Sequence, residues 1–148
     1  MKTNKNDLFY ICSLIESVSR ESGNSKAEIV DILGEKKIKR LYKFAEVNHC
    51  LPIEQVTDEV INLNQINRKE KTKQKRKQSI WDSGHLYQRL ILDTMDGNDW
   101  FSKMIEIYHS WICKYLDNDK KPIYWQPRSY IRAVSYTHLR AHETDSYL

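Results

Sequence analysis

Apolar residues recur along this chain with the period of a helix. Leu8, Ile11, Cys12, Leu14, Ile15 and Val18 fall on one arc at 100° per residue, with Ser13, Glu16, Ser17 and Arg20 opposite, so an amphipathic helix is predicted from about Asp7 to Arg20. Gly23-Asn24 ends it, and Ser25 stands three residues before Glu28, the spacing of a capping box. A short second helix with Ile29, Val30, Ile32 and Leu33 then stops at Gly34. A third runs from Glu35 to about Asn48 with Ile38, Leu41, Tyr42 and Ala45 inward. Pro52 opens a fourth, in which Ile53, Val56, Val60 and Ile61 repeat to about Asn64.

The second half follows the same rule. Ser79 caps a fifth helix carrying Ile80, Tyr87, Leu90, Ile91 and Met95, and Asp96-Gly97-Asn98 breaks it. From Asp99 to Leu116 the pattern is apolar on nearly every side, from Trp100 and Phe101 through Met104, Ile107 and Trp111 to Ile112 and Leu116, which predicts a buried sixth helix near 99–116. The prolines at 122 and 127 make the next stretch extended or turn-like, and Ser129-Tyr130-Ile131 opens a last helix. The expected fold is therefore all-α, a single-domain bundle of about six helices over residues 1–132.

Composition agrees with this pattern: 4 glycines and 3 prolines in 148 residues suit helices better than a turn-rich sandwich. Neither an apolar stretch of membrane-spanning length nor a signal-peptide core is present, so no membrane association and a cytoplasmic location are expected. Cys12, Cys50 and Cys113 are odd in number and widely spaced, which fits reduced and mostly buried thiols rather than a disulfide framework or a zinc knuckle.

Charge is concentrated in one place. Residues 68–77 hold seven basic side chains and one acid. Removing them, together with the one base and two acids of residues 133–148, from totals of 24 and 20 leaves 16 basic and 17 acidic residues elsewhere. A near-neutral body thus carries one strongly basic segment, read as a solvated linker over about 65–78. Arg68, Lys69, Lys71, Lys73, Lys75, Arg76 and Lys77 are the candidate nucleic-acid-binding residues, able to neutralise phosphates without reading sequence. No aromatic is interleaved with them to stack on bases. Lys36, Lys37, Lys39, Arg40 and Lys43 add a second basic face after the Gly34 turn, but it lacks the Asn or Gln near its start with which a recognition helix reads bases.

Candidate catalytic groupings dissolve on the same geometric grounds. Asp82, His85, Arg89 and Asp93 form one strip of the fifth helix, a spacing that ordinarily gives an exposed ion-pair ladder. Asp82-Ser83-Gly84-His85 contains the letters of a hydrolase triad, yet helical neighbours point apart and no nucleophile elbow is present. Asn48-His49-Cys50 reads as a helix end and the turn before Pro52, and His109 as a boundary histidine. No catalytic residue, cofactor or metal ligand is expected, and the chain is read as non-enzymatic.

The tail has a different origin. Val134 to Thr144 resemble, codon for codon, one frame of a transposase library adapter, and Ala133 and the final residues keep the same register. Residues 133–148 are accordingly expected to be non-native, His138 and His142 to carry no role, and the native C-terminus to be truncated after about Arg132.

Phe9 to Glu16, Ala45 to Leu51, Val56 to Ile61, Ser79 to Asp82, Tyr87 to Ile91 and Pro127 to Ile131 resemble segments of an uncharacterised family of small helical proteins of gut Firmicutes. Proteins of this kind are similar to members of toxin–antitoxin-like gene pairs on mobile elements. The resemblance implies a bacterial, non-enzymatic interaction module that binds a protein partner through exposed aromatics, antitoxin-like or accessory to such a locus. Residues 68–77 depart from the family pattern, so RNA or DNA contact through them would be particular to this chain.

Overall fold

The structure is a computed structural model that describes residues 2–69, 78–117 and 131–132. Every regular element among the described residues is a helix, and the fold is all-α: α1 Lys5–Ser22, α2 Lys26–Lys43, α3 Ala45–Asn48, α4 Ile53–Leu63, α5 Ile80–Thr94, α6 Trp100–His109 and α7 Ile112–Leu116. None of these is long and apolar enough to cross a membrane. The chain divides into two compact units, one of residues 2–88 and one beginning at Arg89.

In the first unit α1 is the axis. Asn4 caps it by accepting from the Asp7 amide, and Gly23 closes it in the left-handed conformation. Every residue from Tyr10 to Val18 is buried, so Ser13, Glu16 and Ser17 of the arc predicted to face solvent are interior as well, with Arg20 partly exposed. The physical reason is that this arc is made of small or paired polar groups. Ser17 and Thr57 share a hydrogen bond of 2.7 Å between their hydroxyls, where α4 lies against α1. Ser13 returns its hydroxyl to Phe9 O, and Glu16 is neutralised by Arg20 and Lys26. A polar face whose groups are satisfied internally can be buried without leaving a donor or acceptor stranded.

The capping box forms as expected: Ser25 Oγ accepts from the Glu28 amide at 3.1 Å and donates to its carboxylate at 3.2 Å. Gly34 leaves helical geometry (φ 76°, ψ 169°), so α2 is two helical halves joined at a kink, with Ile29, Val30 and Leu33 buried before it and Ile38 after. The predicted third helix stops at Lys43 rather than Asn48. Phe44 leaves helical geometry (φ −100°, ψ 14°) and separates the one-turn α3 from α2. After α4, Gln65 adopts a positive φ of 52° and Ile66 is buried, so the helix does not run on into residues 65–69. Ser79 Oγ accepts from the Asp82 amide at 3.0 Å, the cap predicted for α5.

In the second unit the stretch predicted as one helix over 99–116 is two. Asp99 caps α6, and Ser110 takes an extended conformation (ψ 158°) with its hydroxyl donating to Ile107 O, which ends α6 before α7 begins. Splitting the helix rotates its two apolar stripes independently: Met104, Ile107, Ile112 and Leu116 are buried, whereas Trp111 is 48% exposed. Of the predicted last helix, 131–132 are described as helical, with Ile131 buried.

Candidate interaction groove

An open, largely apolar groove of the first unit lies between α2 and α4. The Gly34 kink redirects the second half of α2, whose Ile38 is fully buried and therefore turns Lys36, Lys37, Lys39, Arg40 and Lys43 outward. On α4, Val56, Val60 and Leu63 repeat at helical spacing along one ridge, the first two buried and Leu63 82% exposed. Leu33, Leu41 and Phe44 face that ridge, and together they line an open groove of about 430 Å³. That volume lies within the roughly 300–1,000 Å³ typical of binding clefts.

The rim of the groove is mostly basic. Lys37 Nζ donates to Asn64 Oδ1 at 2.6 Å, at the α4 end of the groove. The Arg40 guanidinium and the Lys43 ammonium lie 6.0 and 5.8 Å from the centre of the Phe44 ring, within cation–π range and with that ring 44% exposed. Lys39 pairs with Glu35 at 2.8 Å, an exposed pair one turn apart. Among the described residues Lys36, Arg40 and Lys43 make no ion pair. Glu59 is the acidic residue of the groove lining.

Of the candidate nucleic-acid-binding residues, Arg68 and Lys69 are described, and both meet acids. Arg68 bridges Glu21 at 2.9 Å and Asp58 at 3.1 Å, and the hydrogen bonds it donates to Asp58 and then to Glu21 raise its pKa. Lys69 pairs with Glu28 at 2.8 Å, and that hydrogen bond holds the Glu28 carboxyl below its ordinary range. Lys71, Lys73, Lys75, Arg76 and Lys77 lie outside the described residues, as do residues 133–148 with His138 and His142.

A second open cleft, of about 640 Å³, gathers side chains from separate parts of the sequence: Asp7, Phe9, Tyr10, Glu46, His49, Cys50 and His85. His85 stacks on Phe9 with ring centres 3.9 Å apart, and His49 lies against Tyr10 at 5.4 Å. Burial, and then the nearby charge of Glu46, push the Asp7 carboxyl above its ordinary range. Cys50 is exposed, unlike Cys12 and Cys113, and its Sγ reaches Glu46 O at 3.8 Å rather than a histidine. Asp82 is exposed, while Ser83 is fully buried and accepts from Arg20 at 3.1 Å. The Asp-Ser-Gly-His string is thus a packing feature, in which the serine answers an arginine and the histidine covers a phenylalanine. No group of three His, Cys, Asp or Glu side chains able to hold a metal ion occurs among the described residues.

Sequence reading did not find the groove, because Leu63 lies one turn beyond the predicted inward set of the fourth helix and Phe44 was hidden inside a predicted continuous third helix. The available signal was the repeat Val56-Val60-Leu63, which continues the apolar stripe past the last core position. No protein-family model, curated protein sequence or solved structure matches this chain.

Proposed function

We propose that the chain is a non-enzymatic, cytoplasmic interaction module that binds a protein partner through the α2–α4 groove. The observation that carries this reading is the 82%-exposed Leu63 continuing an apolar floor into solvent, next to the half-covered ring of Phe44. Side chains of this kind stabilise a complex by leaving water when a partner closes over them, at about 25 cal/mol per Å² of apolar surface removed. The resemblance to toxin–antitoxin-like pairs supports a partner encoded beside the chain, with an antitoxin-like or accessory role.

Nucleic-acid contact through residues 68–77 draws less support, since Arg68 and Lys69 are already held by Glu21, Asp58 and Glu28. Co-expression with the neighbouring gene product, followed by size-exclusion chromatography with light scattering, tests the leading reading. A stable complex that Leu63→Asp abolishes is the expected result. A chain that elutes alone, or a complex indifferent to Leu63→Asp, overturns it. A gel shift with RNA or DNA that is lost when Lys71, Lys73, Lys75 and Lys77 become Gln would favour the nucleic-acid reading instead.

A further inference from the structure

The geometry points to an acidic amphipathic helix of the partner as the occupant of this groove, an inference that rests on the interaction reading above. Two helices flank the floor, in which Val56 and Val60 are already packed, and Leu63 of α4 with the half-covered Phe44 ring leaves apolar surface that a third helix can cover with its own apolar stripe. This is the helix-in-groove mode, read through anchors at about i, i+4 and i+7 of the incoming helix.

Charge selects the flank of that helix. From Glu35 to Lys43 the α2 side carries five basic residues and one acid, and that acid is already paired with Lys39. A cationic helix would meet like charge along the whole α2 edge. An acidic one offers carboxylates to Arg40 and Lys43, which make no ion pair among the described residues. The α4 edge has the opposite sign at Glu59, so the incoming helix is acidic toward α2 and carries one lysine or arginine toward α4. That asymmetry also fixes its orientation across the groove. The floor favours a helix over a nucleic acid, because apart from Phe44 its apolar lining is aliphatic, and one ring is not the run of aromatic platforms on which successive bases stack.

The test is fluorescence anisotropy on the full chain, with labelled synthetic helices of about four turns (about 14 residues). One peptide carries leucines at the anchor positions, glutamates on one flank and a single arginine on the other, and its control has these charges reversed. The acidic peptide is expected to bind, the charge-reversed one at least ~10-fold more weakly. Arg40→Glu with Lys43→Glu leaves three bases and three acids along that edge and is expected to erase the preference while both peptides still bind, which loss of folding alone could not do, and Leu63→Asp to weaken both peptides. Equal binding of the two peptides to the unsubstituted chain overturns the proposal, as does displacement of the acidic peptide by an oligonucleotide. If no peptide binds while Leu63→Asp still abolishes the partner complex, the acidic-helix inference fails and the interaction reading stands. If neither effect is seen, both fail.

Discussion

Lys26 Nζ lies 2.6 Å from Glu16 Oε2, and both side chains are almost wholly buried, at 3% and 1% exposure. Arg20 completes the arrangement, reaching Glu16 Oε1 at 2.8 Å while donating to Gln78 O and Ser83 Oγ. The Lys26 ammonium also lies 4.7 Å from the centre of the Tyr87 ring. One carboxylate on α1 therefore fastens the start of α2 and, through Arg20, the start of α5.

Removing either partner of this pair should have unequal consequences. Glu16→Gln takes the anion from two cations, one of them buried, and is expected to destabilise the fold by about 3–5 kcal/mol. Lys26→Met leaves Glu16 its Arg20 contact and should cost less, about 1–3 kcal/mol. Glu16→Leu combined with Lys26→Met should lose less than Glu16→Gln alone, since the almost wholly buried ammonium goes with its anion and only the partly exposed Arg20 loses an ionic partner. Urea denaturation of the three variants checks this order, and a double variant less stable than Glu16→Gln would show that the pair is not the cause.

Gly34 tests the backbone that shapes the groove. Its φ of 76° and ψ of 169° lie in a region open essentially to glycine, and a Cβ added there would meet nothing within 4 Å. Gly34→Ala should therefore destabilise by about 1–3 kcal/mol through backbone strain alone, with no steric clash. A D-alanine placed there by chemical ligation has the matching handedness and is expected to be tolerated. If the L and D residues destabilise equally, strain is not the cause. Because the kink aims the second half of α2, Gly34→Ala should also weaken acidic-helix binding.

Much of the architecture was legible because local chemistry set it. Ser25, Ser79 and Asp99 sit at helix starts, and Gly23 and Gly34 mark the ends of helical geometry, since caps and left-handed glycines act within a turn or two of chain. Besides the groove and the break at Phe44, two further features were not legible. The outward reading of Ser13, Glu16 and Ser17 failed because periodicity assigns polar residues to solvent, whereas their partners Thr57, Lys26 and Gly84 are distant in sequence. The break at Ser110 failed because apolar residues continue on both sides of it, and a serine whose hydroxyl bonds its own backbone leaves no mark in a hydropathy pattern.

Gly84 is the clearest consequence of that hidden packing. A Cβ there would fall on Ser13 Oγ and within 3.1 Å of the Ser13 Cα, so α1 and the first turns of α5 touch backbone to backbone. Gly84→Ala raises helix propensity by about 1 kcal/mol yet must push the helices apart, and overpacking of about 1–3 kcal/mol should equal or outweigh the gain. Ser13→Gly in the same chain should recover part of any loss by clearing the space. Thermal melts of the single and double variants decide the matter. An alanine at 84 that simply stabilises the fold would mean the close approach is absent in solution.

Tyr10 gives the chain a stability change at alkaline pH. Its side chain is 1% exposed and its hydroxyl has no hydrogen-bond partner among the described residues. Burial, and then the charge of Glu59, push the phenol up from its ordinary 10.0 to about 12. Between those values the unfolded chain releases a proton that the native phenol keeps, so the native state binds more protons and stability falls as pH rises. Below pH 10 both states are protonated and the effect vanishes. Tyr10→Phe removes the titrating group along with an unsatisfied hydroxyl. It should be neutral or stabilising at pH 7, by up to ~1 kcal/mol. Denaturation midpoints of the two proteins followed from pH 9 to 12 should diverge only above about 10, with the phenylalanine variant losing less. Parallel curves would mean that the Tyr10 phenol ionises in the folded protein as it does in the unfolded chain. Glu59→Gln should shrink the divergence without abolishing it, because burial is the larger cause and stays in place.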